Sequence, residues 1–196
     1  MPATAADPLV LASTSPQRRA ILTQLRIPFE VVPPRYEERA QGSDPLTIAC
    51  ENARGKARSV LPEAGERPVL GVDTAVVLDG RIYGKPAGLG EAEKMLFALA
   101  GKAHEVVSGL CLVTRGWQEL SHEVTRVLFR GLTPREVAAY LASGEWEDRA
   151  GGYAIQGLGA SLVERVEGDY LNVVGLPGAA LVDVLARRFP GTYGFG

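Results

Sequence analysis

The sequence has little cysteine, little histidine and no large excess of charge of either sign. Its cysteines, Cys50 and Cys111, lie far apart in mostly apolar segments, so we expect neither a disulfide scaffold nor a cysteine-rich metal site. The histidines, His104 and His122, lack the spacing of a zinc-binding motif and are interpreted as residues of a β-sheet. These absences favour a protein of a reducing compartment.

Charge and hydropathy also narrow the range of partners. The net charge of −2, from 21 basic and 23 acidic residues, produces no global field that attracts a nucleic acid polymer or an anionic membrane. No hydrophobic run approaches the length of a membrane span, and the N-terminal residues do not resemble a signal peptide. We therefore expect a cytoplasmic protein that binds any anion through a local cluster of residues.

The composition is that of an ordinary globular protein, with 46% hydrophobic and 22% charged residues in a chain of 196. This length is sufficient for a buried core, and we predict a single α/β domain over residues 8–190. Strand, helix and strand patterns over residues 9–32 predict a βαβ unit with parallel strands. Strand patterns at 104–114 and 117–129 predict an antiparallel hairpin, and residues 192–196 are expected to be frayed.

The first strand leads into the most informative turn of the chain. After it, Ser15 is placed to cap a helix and Pro16 occupies the first helical position. The free N–H groups at a helix start attract anions, so Ser13, Arg18 and Arg19 are candidates to surround a phosphate. The alternative is an ordinary capped helix with solvated arginines.

A carboxylate interrupts the longest apolar stretch. Residues 68–78 predict a central strand buried on both faces, with Asp73 in its middle. A buried carboxylate requires a cation, hydrogen-bond donors or a proton, so Asp73 has either a metal-binding or acid–base role or a structural one. A predicted hairpin at Asp79-Gly80 brings Lys85 back towards the same end of the sheet.

Three more side chains are candidates for a site. Lys56 lies on a predicted helix over 46–61, and it is either exposed or directed towards the opening turn. Glu38 lies in a polar loop and is either solvated or a metal ligand. Gln156 lies in a glycine-rich segment, 145–159, which is either a flexible loop or a close approach to a ligand. A glutamine side chain can both donate and accept, which suits recognition of a base edge.

Together these residues combine cations with carboxylates. Four of them fall at predicted strand ends or helix starts: the hydroxyl of Ser13 and the cations Arg18, Lys56 and Lys85. With Glu38 and Asp73 they have the chemistry that binds a polyphosphate together with a divalent metal.

Several longer motifs add a resemblance. They are LASTSPQRR at the start, ENARGKA at 51–57, GVDTAVVLDG at 71–80, GKP at 84–86, AGGYAIQGLGA at 150–160 and GDYLNVVGLP at 168–177. Through them the chain resembles the Maf family of nucleotide pyrophosphatases, from about Leu9 to Phe189. The resemblance implies a long mixed β-sheet flanked by helices in two merged lobes, akin to the inosine-triphosphate pyrophosphatase (Maf/Ham1-like) fold. It also implies a homodimer.

The same resemblance implies an activity: hydrolysis of a nucleoside triphosphate to the monophosphate and pyrophosphate with Mg²⁺ or Mn²⁺. By motif, Asp73 matches the proton acceptor, and it either takes the proton of water or holds the metal with Glu38. Four residues match the phosphate site: Ser13, Arg18, Lys56 and Lys85. The alternatives are a nucleotide-binding regulator of septum formation and cell division without catalysis, and a metal-independent sugar-phosphate enzyme.

Base preference is expected from three positions. In the family, a branch that prefers dTTP and UTP has Arg, Thr and Gln there, and a branch that prefers 7-methyl-GTP has Trp, Gln and Glu. This chain has Gln17, Thr74 and Gln156. Thr74 and Gln156 match the dTTP/UTP branch, whereas Gln17 matches neither.

Overall fold

A computed structural model describes residues 7–39 and 44–195 of the chain. The strands are β1 (Leu9–Leu11), β2 (Phe29–Val31), β3 (Val69–Leu78), β4 (Arg81–Tyr83), β5 (Ala103–Val113), β6 (Gln118–Phe129) and β7 (Val163–Glu167). The α-helices are α1 (Pro16–Gln24), α2 (Pro45–Val60), α3 (Leu89–Leu99), α4 (Pro134–Ala142), α5 (Tyr170–Val174) and α6 (Gly178–Arg188). Short 3-10 turns occupy Leu61–Glu63, Ala150–Gly152 and Gly157–Leu162.

The strands of these residues form one seven-stranded sheet in the order β2-β1-β3-β5-β6-β7, with β4 also paired to β3. β1 is parallel to β2 and β3, whereas the other pairs are antiparallel. The predicted α/β class, the parallel βαβ unit and the antiparallel hairpin are therefore confirmed.

Two large hydrophobic clusters share the central strands β3 and β5. One packs α1 and α6 on one part of these strands, through residues such as Leu22, Leu70 and Leu185. The other packs α3 and α4 on the opposite ends of the same strands, through residues such as Val76 and Leu96. The two clusters match the expected pair of merged lobes, and the long strands connect them.

Helix α2 lies unusually close to the sheet because two sheet residues are glycines. A Cβ atom at Gly71 on β3, or at Gly109 on β5, would overlap the α2 backbone. Gly109 is also the direct cross-strand partner of Asp73. This close approach places Asn52 and Lys56, on the buried face of α2, beside the Asp73 side chain.

One local prediction differs from the structure. Residues 192–196 are predicted to be frayed, but Tyr193 is buried in the first cluster and its hydroxyl donates to the carbonyl of Asp7. The last strand, β7, starts at Val163, directly after the 3-10 turn Gly157–Leu162. Within the described residues, no helix combines the length and the apolarity that a membrane span requires.

His104 is a buried residue of β5, as its interpretation as a sheet residue predicts. Its Nε2 atom lies 2.9 Å from the hydroxyl oxygen of Tyr153. Burial lowers the pKa of His104 from 6.5 to about 4. The unfolded chain therefore binds this proton at a higher pH than the folded protein does.

This shift predicts a pH-dependent stability. His104 costs no stability well above pH 6.5, and the unfolding free energy falls as the pH drops towards 4; by pH 4.5 the loss amounts to about 2.5 kcal/mol. Urea unfolding of the wild type and of His104→Gln between pH 8 and pH 4.5 measures it. We expect the difference in unfolding free energy between wild type and His104→Gln to change by this amount over that pH range, and the exposed His122→Gln is the matched control. Parallel profiles for wild type and His104→Gln would contradict the assignment.

Candidate active site

A cavity of about 750 Å³ opens beside β3. Its walls come from the β1–α1 turn, α2, the end of β4 and residues 147–156. Of the candidate site residues, only Arg19 is absent from its walls; the others line it: Ser13, Gln17, Arg18, Glu38, Lys56, Asp73, Thr74, Lys85 and Gln156. The fold therefore brings together residues that are distant in the sequence.

The opening turn has the geometry that the sequence predicts. The Ser15 hydroxyl accepts from the backbone N–H of Arg18 at 3.5 Å, and Pro16 begins α1. The Ser13 hydroxyl accepts from the Ser15 backbone N–H at 3.2 Å. Arg18 is buried against this turn and Arg19 is exposed, so only the first of the two arginines belongs to the cavity.

The guanidinium group of Arg18 connects three parts of the cavity wall. Nη1 donates to Ser13 Oγ at 3.0 Å, Nε donates to the carbonyl of Gly175 at 2.9 Å, and Nη2 donates to Thr74 Oγ1 at 3.4 Å. Burial lowers the pKa of Arg18, and the negative charges of Asp73 and Glu38 oppose this shift. The result is a fixed cation that faces the two carboxylates.

Asp73 obtains its compensation from α2. Lys56 Nζ lies 2.6 Å from Asp73 Oδ1, and Asn52 Nδ2 donates to Asp73 Oδ2 at 2.9 Å. The lysine side chain is only 6% exposed, so of the two alternatives for Lys56 the structure selects the one directed into the site. Two side chains thus compensate the buried carboxylate.

Glu38 lies on the other side of the same ammonium group. Its Oε1 is 2.7 Å from Lys56 Nζ, while the side chain remains 59% exposed to the cavity and solvent. Partial burial raises the pKa of Glu38, but the hydrogen bond and positive charge of Lys56 outweigh it, so the pKa is lowered. The two carboxylates therefore share one lysine between them.

Sequence reasoning missed the positioning function of Asn52. Its Oδ1 accepts from the backbone N–H of Arg39 at 2.8 Å, and its Nδ2 donates to the Arg39 carbonyl at 3.0 Å. Because Nδ2 also donates to Asp73, one side chain connects the segment of Glu38 to β3. The available signal was the spacing of four residues between Asn52 and Lys56, which places both on one helix face.

Lys85 and Gln156 lie on a different wall. Lys85 is 66% exposed, and its Nζ is 3.6 Å from Asp148 Oδ1. Gln156 is exposed, and it belongs to a glycine-rich segment that is folded into short 3-10 turns. Gly151 has a φ of 68° and its N–H donates to the carbonyl of Gly84 at 3.0 Å, so this segment is attached to the end of β4.

The remaining candidate residues lie near the turn. Gln17 Oε1 accepts from the Ser15 hydroxyl at 2.9 Å, which leaves its amide nitrogen free to face the cavity. Thr74 Oγ1 lies 2.8 Å from the hydroxyl of Ser108 on β5. Ser108 is fully buried, and no sequence pattern distinguishes it from the apolar residues of its strand.

The arrangement is suited to an anion that carries several charges. Arg18 and Lys56 present cations from one side, and Lys85 presents one from another. Asp73 is positioned in the cavity, where a carboxylate can accept a proton or contribute to a metal site. Within the described ranges, no cluster of three or more His, Cys, Asp and Glu residues exists that could hold a metal by itself.

Comparisons with known proteins agree with these features. Residues 8–188 match the family model described as Maf-like protein. A "dTTP/UTP pyrophosphatase" of Gloeobacter violaceus is 48% identical, covering 91% of this chain and 95% of the relative. A relative of the same name from Nitratidesulfovibrio vulgaris is 46% identical and covers 95% of this chain and 90% of its own length. Another, from Deinococcus radiodurans, is 43% identical over the full length of both chains.

One solved structure, that of the Staphylococcus aureus Ham1 protein, aligns weakly, with 14% identity and a TM-score of 0.38. The alignment covers 63% of this chain and 72% of the Ham1 chain. The family model and the full-length relatives are much stronger matches, and they show that this chain belongs to the Maf family.

Proposed function

We propose that the protein hydrolyses nucleoside triphosphates, with dTTP and UTP preferred, to the nucleoside monophosphate and pyrophosphate. The observation that carries the proposal is the buried pair of Asp73 and Lys56, 2.6 Å apart, in the wall of a cavity of about 750 Å³. A cavity of this size accommodates a nucleotide. The full-length relatives named dTTP/UTP pyrophosphatase support the same activity.

Water attacks the α-phosphorus in this proposal, and pyrophosphate leaves. Asp73 accepts the proton of the attacking water, because it is the carboxylate fixed in the cavity wall by two donors. Negative charge increases on the oxygen between the α- and β-phosphates as the bond breaks. Arg18, Lys56 and Lys85 stabilise that charge electrostatically.

A divalent cation, Mg²⁺ or Mn²⁺, belongs to the proposal. Glu38 and Asp73 would hold it beside the Lys56 ammonium group, since both carboxylates line the cavity and both contact the same Lys56 Nζ, which places them close to each other. Magnesium is commonly bound by one or two carboxylates together with substrate phosphates, so this small donor set fits. The metal supplies charge neutralisation on the phosphates and lowers the pKa of bound water.

Base selection is assigned to Gln17, Thr74 and Gln156, which all line the cavity. A site built to hydrogen-bond a base rejects bases that leave its polar groups unpaired. We also propose a cytoplasmic homodimer. The family resemblance implies the dimer, and the free thiols of Cys50 and Cys111 are consistent with a reducing compartment.

A panel of nucleoside triphosphates, scored for pyrophosphate release with Mg²⁺, Mn²⁺ or Co²⁺, tests the activity. We expect dTTP and UTP to be hydrolysed fastest, with one pyrophosphate released per monophosphate, and a chelator to stop the reaction. Nucleotide binding without any pyrophosphate would instead identify the noncatalytic regulator. Unchanged activity in excess chelator would overturn the metal assignment.

A further inference from the structure

Arg149 lines the cavity, but the phosphate and base contacts assigned above do not use it. It lies immediately before the 3-10 turn Ala150–Gly152, in the glycine-rich segment. Its Nε atom is fully buried, and within the described residues it has no hydrogen-bond partner. The residue as a whole is partly exposed, so the cavity can reach the rest of the guanidinium group.

The guanidinium group of Arg149 has no acceptor in the described part of the chain. Burying a donor without a partner costs free energy, and in native proteins such groups are rare. The neighbouring acidic residue does not relieve it, because the Asp148 carboxylate is directed to Lys85 Nζ at 3.6 Å. Nε is too buried for a ligand to reach, whereas the terminal nitrogens keep accessible surface and can bind a ligand that enters the cavity.

The position of Arg149 indicates which part of a ligand it meets. The backbone hydrogen bond from Gly151 to Gly84 fixes this segment beside the end of β4. Lys85 is the residue after Gly84, and it pairs with the residue before Arg149. Arg149 and Lys85 are therefore cations of neighbouring segments of the cavity wall.

We propose that Arg149 binds the β- or γ-phosphate of the substrate and, after cleavage, the pyrophosphate product. This inference rests on the proposed function, in which Lys85 stabilises the same leaving group. A guanidinium group presents N–H donors that match phosphate oxygens, and the terminal nitrogens of Arg149 supply these donors at the cavity wall.

Product inhibition tests the proposal because the two products report on different parts of the cavity. For Arg149→Met we expect the inhibition constant of pyrophosphate to rise about tenfold to a hundredfold, since a charged hydrogen bond is lost. The inhibition constant of dTMP should change less than about twofold, because the proposal places only the leaving phosphates against Arg149. Arg149→Lys should recover part of the pyrophosphate affinity through its charge.

Arg19→Met is the matched control, since Arg19 is an exposed arginine outside the cavity. An unchanged pyrophosphate constant in Arg149→Met would overturn the proposal, and so would an equal rise for both products, which would indicate contact with the nucleoside or α-phosphate. Should Arg149→Met not fold, calorimetric titration of Arg149→Lys and Arg149→Gln with pyrophosphate decides the question: equal affinity in both overturns the proposal. A wild type that releases no pyrophosphate would refute the proposed function itself.

Discussion

Asp73→Asn is expected to lower kcat for pyrophosphate release from dTTP by about a hundredfold to ten-thousandfold, the range for loss of a general base. An amide has the size of the carboxylate but cannot accept the proton of water. The fold should persist, because Lys56 keeps its contact with Glu38 at 2.7 Å. Initial-rate assays at saturating dTTP, with circular dichroism of the same samples, measure both effects.

The control for this substitution is Asp79→Asn. Asp79 is an exposed residue of the β3–β4 turn with a φ of 52°, a conformation that asparagine tolerates. It removes the same charge from the end of the same strand without touching the cavity. Near-wild-type kcat in Asp73→Asn would remove Asp73 from the mechanism, and an equal loss in both variants would indicate a general charge effect.

Lys56→Met is expected to affect stability and activity together. It leaves the Asp73 carboxylate, whose side chain is 12% exposed, without its cation, which costs about 3 kcal/mol of unfolding free energy. Pyrophosphate release should fall about a hundredfold, because a cation next to the reacting phosphates is lost. Urea unfolding in chelator and rate assays measure the two effects.

Lys85→Met distinguishes the contribution of a lysine to activity from its contribution to stability. Lys85 is 66% exposed and its partner Asp148 is 91% exposed, so its removal should change the unfolding free energy by less than about 0.5 kcal/mol. Its activity should nevertheless fall. Excess Mn²⁺ should stabilise Lys56→Met more than Lys85→Met, because in Lys56→Met a cation bound by Glu38 and Asp73 also compensates the carboxylate charge that the ammonium group no longer compensates. Equal stability losses in the two lysine variants would contradict this account of the buried pair.

The sequence was most informative where a buried group required a partner. Asp73 lies in the middle of an apolar strand, so the need for a cation, hydrogen-bond donors or a proton could be predicted, and Lys56 and Asn52 supply the first two. The cap at Ser15 and the start of α1 at Pro16 follow from local residue preferences and were also predictable. These features depend on a few neighbouring residues or on one strong electrostatic requirement.

Other features depend on contacts that no local pattern records. Helix α5 has five residues, too few for a periodic pattern, and depends on its Asp169 cap. Asn52 acquires its function only because the segment of Arg39 returns to α2. The burial of Tyr193 depends on packing against α6, which a short C-terminal segment does not reveal.

Hydrolysis of dTTP in ¹⁸O-labelled water tests the central claim most directly, because the label records which phosphorus the water attacks. Attack at the α-phosphorus predicts one labelled oxygen in dTMP and none in pyrophosphate. Label in pyrophosphate, release of orthophosphate instead of pyrophosphate, or no turnover with any of the three metals would contradict the account.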